Sequence, residues 1–197
     1  MSSQRTKNAA VIALIIVVAF LFAAVADWGI LQIEKELHPI EYEEYVERYA
    51  SDYNIPEYII FAVINVESEF DTEAVSSAGA MGLMQMMPDT FVWLSSSEHL
   101  GENLSVTALY DPEVSIRYGA YYLRYLFQKF HDWDNVFAAY NGGEGNVTKW
   151  LEDSRYSDGN GNLTYIPFKE TRKYVKKINR QSEFYKDTYY NDKEIVK

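Results

Sequence analysis

Residues 67–88 read ESEFDTEAVSSAGAMGLMQMMP, and the interpretation of the whole chain depends on this stretch. It opens with Glu67, a carboxylate at the end of the long apolar run Tyr58 to Val66, and it closes with Pro88. Burial disfavours the charged form of a carboxyl group, so the apolar run predicts a raised pKa for Glu67. A glutamate with a raised pKa holds a proton near neutral pH and can donate it as a general acid. The local pattern also allows a simpler interpretation, in which Glu67 is a solvated acid at a helix end.

The small residues that follow predict a loop. Gly79 and Gly82 permit backbone conformations that are closed to other residues, so this loop is expected to approach another part of the molecule closely. The methionines around Met84 are expected to fill the core. Gln85 interrupts this apolar segment, and its amide needs hydrogen-bond partners, which a ligand in an open cleft would supply.

The composition is that of a globular chain without cysteine. Its 197 residues, 48% hydrophobic and 24% charged, suit one compact domain with an appendage. The absence of cysteine excludes disulfides, a thiol nucleophile and cysteine metal ligands. The three histidines, His38, His99 and His131, fall in no metal-ligand spacing, so isolated packing or surface positions are expected. We therefore predict no metal and no cofactor.

The charge is strongly acidic and unevenly distributed. A net charge of -11 argues against a nucleic-acid partner, because phosphate binding needs a basic surface. Residues 34–73 carry twelve acidic and two basic side chains, whereas residues 169–180 carry six basic side chains and one acid. Most of these charges are expected on the solvated surface. Contact with an anionic polymer or a membrane surface is the alternative for the basic segment.

Residues 9–26 contain no charged side chain and are long enough to cross a membrane as a helix. Arg5 and Lys7 precede this segment and acids follow it, which predicts that residues 1–8 are cytoplasmic and the rest is extracytoplasmic. The run Ala24-Val25-Ala26 resembles a signal-peptidase site, so cleavage and secretion are the alternative to a single-pass anchor. The length of the apolar run favours the anchor.

Hydrophobic spacing and capping residues predict a mainly helical domain after this segment. Asn54, Asp89, Asp111 and Asp134 are each expected to cap a helix. The last helix is expected to run from about Phe168 into the 180s. The resulting division is a juxtamembrane linker at 27–40, a main domain at 41–182 and a polar tail at 183–197.

Residues 157–162 predict a tight turn. Asp158, Asn160 and Asn162 alternate as calcium ligands do. However, Leu163 stands where a calcium loop needs Gly, and Lys169 stands where the bidentate Glu belongs. The turn is therefore preferred to a calcium site.

Four stretches, taken together and in order, resemble the family-one, Slt-type lytic transglycosylases. They are residues 67–70, 76–90, 139–143 and 166–175. The resemblance spans about residues 40–180 and implies the mostly helical lysozyme-like fold with a small hairpin. Two departures are visible. Gly142 stands where the family often has Ala, and Glu144 stands where it often has Pro, which adds a second acid near the expected cleft.

The resemblance also implies a set of site residues within the main domain, which would be the catalytic domain. Glu67 would be the catalytic acid, Ser76 would contact the N-acetyl group of the muramic acid unit, and Tyr140 would steady the reacting centre. The other implied substrate-binding residues are Gln85 and Met87, which would line the cleft, Asn141 at the end of a helix, and Glu170, which would hold the polar network.

The activity implied by the resemblance is non-hydrolytic cleavage of the MurNAc–GlcNAc bond of peptidoglycan. Glu67 would protonate the bridging oxygen, and its carboxylate would then accept the proton of the muramic 6-hydroxyl, giving a 1,6-anhydro end. One carboxylate would suffice, whereas ordinary glycosidases use two. The implied partners are glycan strands and, through the N-terminal helix, the membrane.

Two other functions compete with this one. A hydrolase of the goose-lysozyme type would use the same fold and acid with water as the acceptor. A membrane-tethered scaffold would bind peptidoglycan without cleaving it. The presence of Glu67, Gln85 and Tyr140 together speaks against the scaffold, because a binding module needs no acid beside an apolar helix.

Overall fold

The computed structural model describes the backbone of residues 2–96 and 98–190 and the side chains of residues 14–96 and 98–190. The chain divides into two units, Met1–Pro39 and Ile40–Lys197. The first unit contains one helix, α1, at Ser2–Leu37. Its segment Leu14–Leu37 is apolar and long enough to cross a membrane, and a signal sequence near an N-terminus would have the same character.

Helix α1 extends well beyond the apolar segment predicted at 9–26. Residues 27–37 of the expected linker at 27–40 continue helix α1. The charge-free segment ends before Asp27, but the helix continues, because Asp and Glu carry only a small intrinsic helix penalty.

The second unit is mainly helical, as predicted. Its elements are α2 Glu43–Tyr53, α3 Glu57–Ser68, α4 Pro88–Leu94, a 3-10 helix Val106–Tyr110, α5 Pro112–Phe130, α6 Trp133–Gly142, α7 Glu144–Leu151, α8 Lys169–Tyr185 and a π-helical turn Lys186–Tyr190. Among the described residues, β-pairing is limited to isolated bridges, Val75–Met81, Met81–Met86 and Ser157–Leu163. The expected hairpin is therefore reduced to the bridge that closes the 157–163 turn.

Helix α3 lies at the centre of this unit. Its residues 59–65 are all buried, because the helix is apolar nearly all round and is covered on most sides. Helix α8 packs along it, and the ring of Phe61 stacks on that of Tyr185 with centroids 5.7 Å apart. The last turn of α3 therefore holds Glu67 at the edge of the core.

The helix caps agree with the sequence at only one of four predicted positions. Asp111 caps α5 by accepting a hydrogen bond from the backbone N–H of Val114. Asn54 does not begin α3. It ends α2 in the left-handed conformation (φ 53°), which Asn tolerates, and Pro56 occupies the N-cap of α3. Asp89 lies in the first turn of α4, whose N-cap is Met87.

Helix α6 is capped by Asp132, not by Asp134 as predicted. The side chain of Asp132 accepts from the backbone N–H of Asn135 at 2.9 Å. The earlier start makes Trp133 the first helical residue, and its ring packs 4.6 Å from that of Phe127. Asp134 accepts instead from Asn179 on α8.

The predicted polar tail at 183–197 is wrong for its first eight residues. Helix α8 continues to Tyr185, and the π-helical turn carries the chain to Tyr190. Tyr185 is fully buried and Tyr190 is 8% exposed, because tyrosine offers a large apolar face to the core. Residues 191–197 lie outside the described residues.

The 157–163 segment forms the predicted turn. Asp158 Oδ1 accepts from the backbone N–H groups of Asn160 at 2.7 Å and Asn162 at 3.1 Å, so this carboxylate is used by the turn itself. The fully buried Asn135 donates to the carbonyl of Gly161 at 2.7 Å. This contact ties the turn to α6.

Candidate active site

Glu67 lies in the last turn of α3, beside a sharp change of chain direction. Helix α3 ends at Ser68, and the next two residues, Glu69 (φ 52°) and Phe70 (φ 67°), both adopt the left-handed conformation. Two successive non-glycine residues in this region are unusual and mark a constrained turn. The turn leads the chain from the buried helix directly into the loop at 71–86.

The apolar surroundings have the expected effect on Glu67. Burial raises the pKa of Glu67 from its ordinary value near 4.5 to about 7, and a hydrogen bond from Tyr174 and the charge of Lys177 partly oppose this rise. The hydroxyl of Tyr174 donates to Glu67 Oε1 at 2.6 Å. The raised pKa agrees with the prediction from the apolar run, and the half-buried position and the Tyr174 contact favour it over a fully solvated acid.

Two tyrosine hydroxyls remain protonated near this carboxyl group. Burial raises the pKa of both Tyr174 and Tyr140 well above the ordinary value, and the charge of Glu67 raises both further. Tyr140, at the end of α6, donates to the carbonyl of Met84 at 2.7 Å. Tyr174 therefore acts as a donor to the acid, while Tyr140 fastens the loop at 81–86 to α6.

Ser76 and Gln85 organise the loop from within. Ser76 Oγ accepts from the backbone N–H of Ala80 at 3.0 Å. Gln85 Nε2 donates to the carbonyls of Ala74 at 2.9 Å and Gly82 at 3.0 Å. The expectation that a ligand supplies the partners of Gln85 is therefore wrong for its amide N–H groups, which are satisfied by the loop itself.

The loop is also attached to the helices beneath it. Ser68 Oγ donates to the carbonyl of Leu83 at 2.8 Å, and Ser115 Oγ accepts from the backbone N–H of Met84 at 3.2 Å. The close approach predicted for the two loop glycines is found at Gly82, which lies against the backbone of Leu109, whereas Gly79 faces open space. The loop at 71–86 is thus fixed between α3 and α5.

The remaining predicted residues lie at the surface. Met87 is 42% exposed, unlike Met84 and Met86, which fill the core as predicted. Asn141 and Glu170 line one cleft of ≈ 550 Å³, whose other walls are Gly142 and residues 167–169 and 171. Asn141 follows Tyr140 directly, so this cleft begins next to the residue that holds the loop.

The second acid that the sequence predicts near the cleft is already paired. Glu144, in the first turn of α7, forms a salt bridge with Lys129 of α5 and accepts from the hydroxyl of Tyr125 at 3.4 Å. Glu144 therefore joins α7 to α5 through these two contacts.

Tyr174 is the residue of this site that sequence reasoning did not assign. It lies inside the 166–175 stretch, but no local pattern connects it to an acid 107 residues earlier. The available signal was indirect. A buried carboxylate needs a hydrogen-bond donor, and Tyr174 is a residue with both an apolar face and a hydroxyl on a helix otherwise rich in Lys and Arg.

We expect Tyr174→Phe to raise the pKa of Glu67 further. The hydroxyl of Tyr174 stabilises the charged carboxylate, so its removal favours the protonated form. A general acid is active only while protonated, so the pH at which activity falls on the alkaline side should move upward. The measurement is the pH dependence of kcat/KM, with Tyr156→Phe, just before the 157–163 turn, as the control. A downward or absent shift would contradict the assigned role of the hydroxyl.

Comparison with known proteins identifies the family. Residues 44–162 match the Transglycosylase SLT domain. The chain belongs to this family. Three of the four diagnostic stretches lie inside the SLT match, and the fourth, residues 166–175, lies just beyond it and supplies Tyr174.

Individual relatives of this SLT domain support the same identification. The soluble lytic murein transglycosylase of Escherichia coli K12 is 36% identical over 155 residues, which cover 77% of this chain and 24% of that protein. The membrane-bound lytic murein transglycosylase C of Haemophilus ducreyi is 30% identical over 175 residues, covering 76% and 47%. The chain thus spans about a quarter of the soluble relative and about half of the membrane-bound one.

Solved structures place the fold with the same family. The soluble lytic transglycosylase SLT70 of Escherichia coli superposes with a TM-score of 0.70 at 35% identity, covering 77% of this chain and 25% of that one. An inactive glutamate-to-glutamine mutant of Slt from Pseudomonas aeruginosa gives a TM-score of 0.68 at 35% identity, covering 76% and 24%. The predicted lysozyme-like, lytic transglycosylase fold is therefore confirmed.

Proposed function

We propose that this SLT domain is a peptidoglycan lytic transglycosylase that cleaves the MurNAc–GlcNAc β-1,4 bond and leaves 1,6-anhydro-MurNAc ends. The observation that carries the proposal is the half-buried Glu67, with a pKa raised to about 7 and a tyrosine donor at 2.6 Å. The names of the relatives support it, as does a solved complex of the soluble lytic transglycosylase with bulgecin A. The P. aeruginosa Slt is described as inactive when one glutamate becomes glutamine, which fits an essential acid.

The hydrogen bond from Tyr174 supports different tasks for the two oxygens of Glu67. Tyr174 donates to Oε1, so in the protonated acid the proton resides on Oε2. Oε2–H protonates the bridging oxygen as the glycosidic bond breaks, and the substrate's N-acetyl oxygen stabilises the sugar cation. The carboxylate then accepts the proton of the muramic 6-hydroxyl, which attacks the anomeric carbon. Tyr174 stabilises the carboxylate between these two transfers.

The substrate-binding residues divide into two groups. Met87, Asn141 and Glu170 are exposed and available to contact the glycan strand directly. Ser76, Gln85 and Tyr140 act mainly by holding the loop, since each bonds to the backbone there. The Ser76 hydroxyl hydrogen remains available for the N-acetyl group of the muramic acid unit, because its oxygen is the acceptor in the bond with Ala80.

We further propose that α1 anchors the enzyme as a single-pass helix with the catalytic domain on the extracytoplasmic side. The apolar segment Leu14–Leu37 and the membrane-bound relatives support an anchor. Arg5 and Lys7 ahead of this segment support the orientation. A mature chain that begins after Ala26 would overturn this proposal in favour of a cleaved signal.

The deciding experiment is mass spectrometry of the sugar products released from purified peptidoglycan by the full chain in detergent. Products one water lighter than those of hydrolysis, and absent with Glu67→Gln, are the expected result. Reducing muramic ends would make the protein a lysozyme-type hydrolase. No cleavage by a folded chain that still binds sacculi would make it a scaffold.

A further inference from the structure

Helix α8 exposes a row of cations on an otherwise acidic protein. A third of the chain's 18 Lys and Arg residues fall within residues 169–180, although the net charge is -11. Five of these side chains are exposed, and they form what we call the basic stripe: Lys169, Lys173, Lys176, Lys177 and Arg180. At 3.6 residues per turn they lie within about 100° of the helix circumference and extend over about 16 Å.

The basic stripe is opposite the face of α8 that packs on the core. Thr171, Val175 and Ile178 are buried, and each lies well over 100° around the helix from the centre of the stripe. Most of the charges of the stripe are thus directed away from the core. Arg172 is the basic residue of the segment that is not in the stripe, and it stacks 4.7 Å over the ring of Tyr165.

Nothing within the described part of the molecule neutralises the stripe through a salt bridge. The ion pairs found among the described residues all involve other basic groups: Arg48, Arg117, Lys129 and Arg155. Solvated cations are common on protein surfaces. Five in one row on a chain of net charge -11 nevertheless create a local positive potential that the rest of the surface opposes.

Two members of the stripe border on the candidate active site. Lys177 Nζ donates to the carbonyl of Val66, one residue before the acid, at 3.4 Å. Lys169 lines the same cleft as Asn141 and Glu170. The stripe therefore begins at the cleft and passes the position of Glu67, so a polymer bound in the cleft would present its side branches to these cations.

We propose that the basic stripe binds the free carboxylates of the peptide stems on the strand that occupies the cleft. This inference rests on the proposed function, because it takes peptidoglycan as the polymer. Peptide stems end in carboxylates, and a protein of net charge -11 repels a strand that carries them. A local row of cations reverses this repulsion where the strand binds and favours strands that still carry stems.

The test uses binding, so that it does not depend on turnover. Two versions of the full chain are compared in detergent. Both carry Glu67→Gln, and one of them also carries Lys173→Glu, Lys176→Glu and Arg180→Glu. The affinity of each is measured for strands with stems and for strands from which an amidase has removed the stems. Lys169 and Lys177 stay unchanged because they border on the site. We expect the triple charge reversal to weaken binding to stem-bearing strands about tenfold and to leave binding to stripped strands unchanged.

A charge-keeping variant separates charge from structure. Lys173→Arg, Lys176→Arg and Arg180→Lys together should bind stem-bearing strands as the parent does. An equal loss on both kinds of strand, or no loss on either, would overturn the inference. If wild type cleaves no peptidoglycan, the proposed function fails, while the comparison of the two kinds of strand still tests the stripe.

Footprinting of the unsubstituted stripe covers the case in which the reversed variant does not fold. Acetylation of Lys173 and Lys176, read by mass spectrometry, should slow about threefold or more in the presence of stem-bearing strands and stay unchanged with stripped strands.

The same acetylation reaction is followed after the full chain has been reconstituted into phosphatidylcholine vesicles with and without phosphatidylglycerol. Protection by the anionic vesicles in place of the strands would assign the stripe to the membrane and overturn the inference.

Discussion

Glu67→Gln should reduce peptidoglycan cleavage by about 10²–10⁴-fold, the usual contribution of general acid–base catalysis. Glutamine keeps the size of the side chain and can still accept the hydrogen bond from Tyr174, but it has no proton to donate at the bridging oxygen. The measurement is the rate of muropeptide release by the full chain. Glu144→Gln is the matched control, because that carboxylate is held by Lys129 and should change the rate only a few-fold.

The same variant should be more stable than wild type at alkaline pH. The pKa of Glu67 is about 7 in the folded chain and near its ordinary value of 4.5 when unfolded, so the folded state binds the proton more tightly. Wild type therefore loses stability as the pH rises from 4.5 through 7, by at most about 3 kcal/mol, whereas the glutamine side chain of the variant does not titrate. Unfolding of both proteins as a function of pH tests this, and equal pH dependence would show that Glu67 is not buried in solution.

Gly82→Ala should destabilise the domain by about 3–5 kcal/mol, which is large for a change of one methyl group. A Cβ atom at this position would lie 2.0 Å from the carbonyl oxygen of Leu109, and the φ of +73° is unfavourable for an L-residue. The backbone cannot move aside easily, because the N–H of Gly82 donates to Ala74 and its carbonyl accepts from Gln85.

Gly79→Ala is the matched control for this prediction. Gly79 has a φ of +89°, but a Cβ there would meet nothing within 4 Å. Its substitution carries only the conformational penalty, about 1–2 kcal/mol. Thermal unfolding of the two variants should therefore differ clearly. Equal losses would mean that the contact with Leu109 contributes nothing to the cost.

The sequence predicts best where local chemistry decides the structure. The apolar run before Glu67 is buried on most sides, and Asp111 followed by Pro112 begins α5 as expected. The cap of α6 was misplaced because Asp132 and Asp134 are equally suitable locally. The packing of Trp133 on Phe127, a tertiary contact, favours the earlier start.

The wrong predictions at the candidate active site also arise from tertiary contacts that the local sequence does not reveal. Gln85 was expected to bind a ligand because its nearest neighbours in sequence offer no partner, yet two loop carbonyls reach it in the fold. Tyr174 could not be assigned because its hydrogen-bond partner, Glu67, lies 107 residues earlier in the sequence. Tyr185 and Tyr190 were placed in a polar tail because tyrosine alone does not reveal whether its ring is buried.

The bond between Glu67 and Tyr174 has a consequence for the synthesis of the protein. The acid belongs to the third helix, but Tyr174, its donor on α8, is synthesised 107 residues later. Until α8 docks, Glu67 is a carboxyl group without the cover of that helix, and we expect it to ionise at physiological pH as free glutamate does. On the proposed function, a nascent chain that has not yet formed α8 would lack a protonated acid at neutral pH, so cleavage of peptidoglycan would begin only after α8 has docked.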